Sequence, residues 1–442
     1  MKILVIDPAG FCMDWVGRVE DHGHEVRWYI RRHGRALDIG KGMLGPKSKI
    51  VDDWMEWMRW ADIVLLTDNT KHIQMIDHWR KREGIRVIGA TMEAAAWELD
   101  RNAGQAIMKK AGLKVADYKE FSRYDDAIAY VKREGRAFVS KPCGDEPDKS
   151  LTYVAKSAAD MVYMLERWKR AKRHKGAFIL QERVKGVEMA VGGWFGPHGF
   201  NRGWHENWEF KKLMAGDTGP ATGEMGTVVR VVAVSKLADL VLKPMEKHLQ
   251  KIGYVGYCDV NCIIDEDGTP WPLEFTMRPG WPTFNIQQAL LAGDPAEWLR
   301  DLADGVDSNP FEMDSVAIGV VMAIPDFPFS KFTLKEVTGI PIYGIKPPME
   351  HNVHFCEVMA GEAPHDIDGK VVTVPCVVTA GDYVLVASGT GETVRRARSR
   401  AYRILNTIEM PNSPFWRNDI GSRLKEQIPV LQAMGFATGL TF

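Results

Sequence analysis

Two apolar runs between Tyr257 and Gly280 flank Asp265-Glu266-Asp267-Gly268. Asp-Gly between such runs signals a β-hairpin. The return strand reads Glu274-Phe275-Thr276-Met277-Arg278. Alternate residues of a strand share a face. Glu274, Thr276 and Arg278 therefore point one way, and Asn261 on the outgoing strand can meet them across the pair. A carboxylate and oxygen donors beside an arginine suit a Mg²⁺ or Mn²⁺ ion bridging phosphate oxygens. A solvated polar hairpin face has the same pattern, and spacing does not separate the two readings.

Two more stretches carry nucleotide-type chemistry. In Ala137–Pro142, Lys141 ends an apolar strand and could enter a phosphate site as a point charge; a strand-end lysine reaching solvent fits equally. The loop behind it holds Gly144, Lys149 and Ser150. It could fold over phosphates as a lid, although Asp145, Glu146 and Asp148 argue against a simple anion cradle. In Phe178–Glu188 an apolar strand runs into Glu182-Arg183-Val184. The exposed backbone there could pair with an adenine edge, and Glu188 could accept ribose hydroxyls; a strand entering a charged turn is the alternative. Gly389-Thr390-Gly391 lacks the longer Gly-x-Gly-x-x-Gly pattern and reads as a strand-to-helix turn.

The order of these stretches is more specific than any one of them. A strand lysine, a hinge with a ribose carboxylate, a Gly-rich loop and a metal hairpin follow the order of the ATP-grasp ligases. Lys211-Lys212-Leu213-Met214-Ala215-Gly216-Asp217-Thr218-Gly219-Pro220-Ala221-Thr222-Gly223-Glu224-Met225-Gly226 resembles the signature loop of the glycinamide ribonucleotide synthetase (phosphoribosylamine–glycine ligase) family. Glu274–Gly280 is similar to that family's Glu-Phe-Asn-x-Arg-Phe-Gly, and Trp416-Arg417-Asn418-Asp419-Ile420-Gly421 resembles its aromatic-Arg-x-Asp-Ile-Gly. The likeness is strong from about 97 to 305, good from about 380 to 422, and weak before 95.

The resemblance implies ATP held by Arg101 (the family has Lys), Lys141, Lys149, Glu182, the Val184 backbone and Glu188. It implies Lys211 and Arg278 acting at the transferring phosphoryl, Glu274 and Thr276 on the metal with Asn261 added from the hairpin geometry, and Asp217, Gly219 and Thr222 toward substrate; Glu224 and Trp281, where the chain departs from the family, are read as facing substrate as well. The partners implied are a small carboxylate, glycine or a similar amino acid, and an amine acceptor, with a monomer or homodimer expected.

The sequence also departs from the family. The first glycine-rich loop becomes Ala9-Gly10-Phe11-Cys12-Met13, and Gly-Pro-Glu after the third strand becomes Thr67-Asp68-Asn69. Thr276 replaces a metal-strand Asn, Glu224 replaces a Gly, and Trp281-Pro282-Thr283 replaces Asp-Pro-Glu. The nucleotide half reads as kept and the amine-acceptor half as rewritten. At least one of Trp204, Trp208 and Trp281 is expected to line a larger or flatter acceptor pocket.

The elements that must position these residues follow from periodicity. Residues 1–95 alternate short apolar runs with helical segments, which implies a doubly wound parallel α/β domain. Residues 96–310 read as an ATP-grasp unit whose lid spans about 115–185, with one helix over 98–112 and another over 235–252. Residues 311–442 read as a small C-terminal α+β domain. Trp54, Trp57 and Trp60 recur at threes, as on a helix.

With 57 Lys plus Arg against 58 Asp plus Glu, the net charge of −1 gives no basic footprint for nucleic acid. No apolar run approaches a membrane span, no signal peptide opens the chain, and six scattered cysteines carry no disulfide framework. A cytoplasmic location is expected.

Overall fold

The computed structural model of the chain describes residues 1–31, 38–143, 152–173, 176–329, 335–411 and 413–442. Lys149 and the segment 144–151 that was expected to act as a lid lie outside the described residues.

Five parallel strands open the fold, in the spatial order Ser48–Val51, Glu25–Tyr29, Lys2–Ile6, Ile63–Leu66, Val87–Ile88. Lys2–Ile6 and Ile63–Leu66 are apolar and buried almost throughout, as strands covered on both faces must be. The edge strand Ser48–Val51 gives no apolar run and escapes a sequence reading. The chain reverses direction across the sheet between Lys2–Ile6 and Ile63–Leu66, which is where open α/β sheets present a crevice at their carboxyl ends. Trp54–Trp60 forms only a single 3₁₀ turn, Met55–Trp57, rather than a helix. Trp57 and Trp60 instead flank the Arg27 guanidinium at 4.7 and 4.5 Å.

The helix expected over 98–112 is two helices, Met92–Leu99 and Arg101–Lys110. Asp100 divides them. Its backbone is extended and its carboxylate caps the second helix through the N–H groups of Asn102 and Ala103. The break places Arg101 at the first position of a helix. The helix expected over 235–252 is likewise divided, into Lys236–Val241 and Glu246–Lys251, with Pro244 in the 3₁₀ turn between them.

A small antiparallel sheet, ordered Tyr118–Phe121, Phe178–Glu182, Phe138–Pro142, Tyr153–Val154, packs on helices Tyr124–Glu134 and Ala158–Ala171. Its core, including Phe121, Val131, Phe138, Leu165 and Phe178, is separate from the main one.

The largest sheet is antiparallel and holds the functional hairpin at one edge. Its path is Pro270–Thr276, Gly256–Ile264, Val187–Gly196, Trp204–Glu209, Gly226–Val232, Val316–Ala323, Tyr383–Gly391, Val353–Phe355. The last three strands come from the segment after residue 310, so the C-terminal portion continues the same sheet. Trp204 and Trp208 sit in its middle and are buried in the main core. Of the three tryptophans among which at least one is expected at an acceptor pocket, these two pack in the core, because that central strand is buried almost throughout.

Candidate functional site

The Gly256–Ile264/Pro270–Thr276 hairpin pairs Asn261 directly with Glu274 and Asp259 with Thr276. A bulge lies at the next step, where Cys262 pairs with Pro272. Bulges re-aim side chains next to sites, and here Glu274 turns toward a cavity of about 610 Å³. That cavity lies between the N-terminal sheet, the hairpin and the start of the Arg101 helix. Its lining includes Asp7, Phe11, Asp68, Glu98, Arg101, Glu209, Lys211, Glu224, Glu274, Thr276, Arg278, Trp281 and Tyr383.

Charges alternate densely at its floor. The Lys211 ammonium lies 2.9 Å from Glu209, 3.1 Å from Glu274 and 3.3 Å from Glu188. Burial alone would lower the Lys211 pKa, but the three carboxylates outweigh it and hold the lysine charged. Lys211, with Arg101 and Lys141 farther off, keeps the Glu274 carboxyl well below the usual range despite burial. Arg101 stands 3.6 Å from Glu274. Asn261 Nδ2 donates to Glu188 at 3.0 Å and to Glu209 at 2.8 Å, while its buried Oδ1 accepts from nothing among the described residues.

Lys141 is 8% exposed and donates to Gln181 Oε1 at 2.8 Å. Burial, then the Arg101 charge, pulls its pKa down to about 7. Arg278 pairs with Glu98 at 3.2 Å, and Glu98 also accepts from Met277 N at 2.6 Å. Neither Glu98 nor Glu209 stood out in the sequence. Glu209 had a signal, because it lies two residues before Lys211 and shares its face.

A metal ion fits part of this arrangement. Among the described residues no three acidic, imidazole or thiol groups converge closely enough to hold one alone. Lys211 occupies the centre that three carboxylates share. The donors are all hard oxygens, however, and Asn261 Oδ1 is free. Mg²⁺ characteristically takes one or two carboxylates and completes its shell with water and substrate phosphates.

The remaining expected residues divide. Glu224 is buried in the cavity wall, its carboxyl pushed well up by burial and then by Glu209, with Thr283 Oγ1 at 3.4 and 3.5 Å. Trp281 lines the cavity and packs on Phe11, ring centres 5.5 Å apart. Thr222 Oγ1 donates to the Lys211 carbonyl at 2.9 Å and so supports the loop. Glu182 is ion-paired with Arg136 and does not line the cavity, and Val184 is half-buried beyond it.

Asp217 and Gly219 lie away from the cavity, contrary to expectation. Asp217 is held by Arg417 at 2.9 Å and Arg423 at 3.2 Å. Arg417, 1% exposed in its side chain, also pairs with Asp419 at 2.8 Å, and Asp419 accepts from Gly216 N at 2.9 Å. The Asp217 carboxylate therefore fastens the signature loop to the Trp416–Gly421 segment. Part of that loop is itself regular: Thr218–Ala221 pairs with Lys212–Met214.

A lysine-bearing four-stranded sheet beside an antiparallel sheet with this hairpin is the arrangement that the resemblance to the ATP-grasp ligases leads one to expect. Residues 100–283 match the family model of the phosphoribosylglycinamide synthetase ATP-grasp (A) domain. The chain is 29% identical over 364 residues to phosphoribosylamine–glycine ligase of Ralstonia nicotianae, covering 79% of this chain and 81% of that one. It is 27% identical over 371 residues to the Salmonella typhimurium enzyme, covering 80% and 81%. The crystal structure of phosphoribosylamine–glycine ligase from Thermotoga maritima superposes with a TM-score of 0.71 at 20% identity, covering 95% of this chain and 100% of the other. N5-carboxyaminoimidazole ribonucleotide synthetase from the same organism gives 0.59 at 14%, covering 93% and 99%. The chain is thus similar, across four-fifths of its length, to the phosphoribosylamine–glycine ligases, and it is an ATP-grasp ligase of the kind that forms C–N bonds. No described helix is long and apolar enough to cross a membrane.

Proposed function

We propose that the protein joins a small carboxylate, glycine or a similar amino acid, to an amine that differs from phosphoribosylamine, at the expense of ATP. The observation that carries this reading is the contrast between the two ends of one cavity. One part of the lining concentrates Lys211, Arg101, Glu209 and Glu274, with Glu188 and Asn261, whose Oδ1 is free among the described residues, in contact with them. Elsewhere the lining holds Phe11, Asp68, Trp281 and Tyr383, with Glu224 between the two groups.

Phosphoryl transfer needs positioning and charge neutralisation more than covalent help. Lys141 would bind nucleotide phosphates and regain its proton as they approach. Arg101 would place a second cation on them, and Glu188 would orient the ribose. Glu274, Asn261 and Thr276 would hold Mg²⁺, which when bound supplies charge neutralisation on the phosphates. Lys211 would be drawn from its three carboxylates toward the transferring phosphoryl, and Arg278 would steady that group from the Glu98 side. The carboxylate substrate would become an acyl phosphate, and the amine would displace the phosphate.

The test is release of ADP from MgATP with glycine and freshly made phosphoribosylamine, then with a panel of other amines. Turnover specific to phosphoribosylamine would establish the authentic purine-pathway ligase instead, a reading favoured by the 27–29% identity across four-fifths of the chain. ATP binding with no turnover on any substrate would mean an ATP-binding protein that has lost catalysis.

A further inference from the structure

The acceptor end differs from the nucleotide end in its donors. The first strand runs into Asp7, and a turn leads to helix Met13–Asp21. Such a strand-to-helix turn offers backbone N–H groups to an anion. Here the chain fills that role itself. Gly10 N donates to Asp7 Oδ1 at 3.1 Å and Cys12 N to Asp7 Oδ2 at 2.8 Å. Trp28 Nε1 at 3.1 Å and Thr67 Oγ1 at 3.2 Å complete the shell of this buried carboxylate. A phosphate brought to the turn would meet a negative charge whose donors are already engaged.

The neighbouring titratable side chains are acids, not bases. Asp7, Asp68 and Glu224 line this end. The cations that line the cavity among the described residues, Arg101, Lys211 and Arg278, are each paired with a carboxylate on the nucleotide side. Beside the polar Thr67, Asn69 and Thr70, the wall carries a cluster of aromatic rings. Phe11 lies 5.5 Å from Trp281 and 5.2 Å from Tyr383, and Phe327 lies 5.6 Å from Tyr383, ring centre to ring centre. Within this wall the Tyr383 hydroxyl is buried with no partner among the described residues. Glu224 has only the long contacts from Thr283.

Resting on the ligase reading above, we infer that the acceptor is a phosphate-free amine bearing an aromatic or comparably flat apolar group. Phe11, Trp281 and Phe327 would hold that group, the Tyr383 hydroxyl would take its polar edge, and Glu224 would receive the amine. In the transfer the nitrogen attacks the acyl-phosphate carbonyl carbon. The C–N bond forms as the C–O bond to phosphate breaks, phosphate leaves with the electron pair, and the nitrogen's proton passes to the departing phosphate.

The experiment is calorimetric titration of the full chain, held with the non-hydrolysable ATP analogue AMP-PNP, Mg²⁺ and glycine. The ligands are tyramine, its phosphate ester and ribose 5-phosphate. Tyramine should bind at least tenfold more tightly than its ester, and ribose 5-phosphate should not compete. Tyr383→Phe, which keeps the ring, should weaken tyramine several-fold. Asp7→Ala, which frees the Gly10 and Cys12 amides, should narrow the gap between tyramine and its ester. Preference for the ester, competition by ribose 5-phosphate, or absence of tyramine binding would overturn the inference. Glycine-dependent positional isotope exchange in ¹⁸O-labelled ATP separates the two failures. Exchange together with a phosphate preference sinks this inference alone, whereas no exchange and no glycine-dependent ADP release sink the ligase reading beneath it.

Discussion

Nucleotide binding should take up a proton through Lys141. The side chain is buried, its ammonium has one neutral partner, and Arg101 repels it, which together place its pKa near 7 in the empty protein. At pH 8 such a group is neutral in about nine molecules of ten, and at pH 6 in about one of ten. Nucleotide phosphates favour the charged form and move the pKa back toward the ordinary lysine value of 10.5. Binding at pH 8 should therefore take up about 0.9 proton per nucleotide at this residue, and at pH 6 about 0.1. Calorimetric titration with AMP-PNP in buffers of different ionisation enthalpy measures the uptake. Lys141→Arg, charged at both pH values, isolates this residue's share by difference. Equal uptake in the two proteins at pH 8 would refute the reasoning. The same shift has a stability consequence whose sign is opposite to that of a favourable ion pair. Below about pH 7 Lys141 is charged in both folded and unfolded chains, and the burial cost is felt in full. Above about 10.5 it is neutral in both and the cost is gone. Its contribution thus makes the empty protein more stable as pH rises through that window.

Three further outcomes are expected. Glu274→Ala should lower ADP formation by about a thousandfold, roughly 4 kcal/mol of barrier, with little loss of folded stability because the side chain faces the cavity; steady-state rates and a thermal melt check both. Arg417→Met removes the buried partner of the part-exposed Asp217 and Asp419 and should destabilise the protein by about 1–3 kcal/mol, measured by denaturant unfolding, while Arg423→Met, at a more exposed position, should cost clearly less. Trp281→Ala should raise the acceptor KM without moving the KM for ATP, and equal shifts in both would contradict a place at the acceptor end.

How much of this could be read from the chain depended on sequence distance. The hairpin was legible because an Asp-Gly turn and a period of two are local signals, and Asn261 does pair with Glu274. The strands of the lid sheet were legible for the same reason. Breaks inside helices were less so, since Asp100 acts through a cap that average propensity hides. The pairing of Glu98 with Arg278 spans 180 positions, and that of Asp217 with Arg417 spans 200, so neither leaves a local trace. Asp217 lies in a motif, which points locally to substrate, while its carboxylate pairs with an arginine far along the chain. Trp204 and Trp208 are the converse case. Both precede the signature loop, but their strand lies in the middle of a sheet and is buried almost throughout, and there large aromatic residues fill core.

The central claim is that ATP activates a carboxylate as an acyl phosphate for attack by an amine. It is tested most directly with glycine labelled with ¹⁸O in its carboxylate, supplied with MgATP and the amine panel, followed by mass analysis of the phosphate released. The account predicts one ¹⁸O per phosphate, formed in step with ADP and with the amide product. Release of unlabelled phosphate, or ADP formation indifferent to the carboxylate, would contradict it.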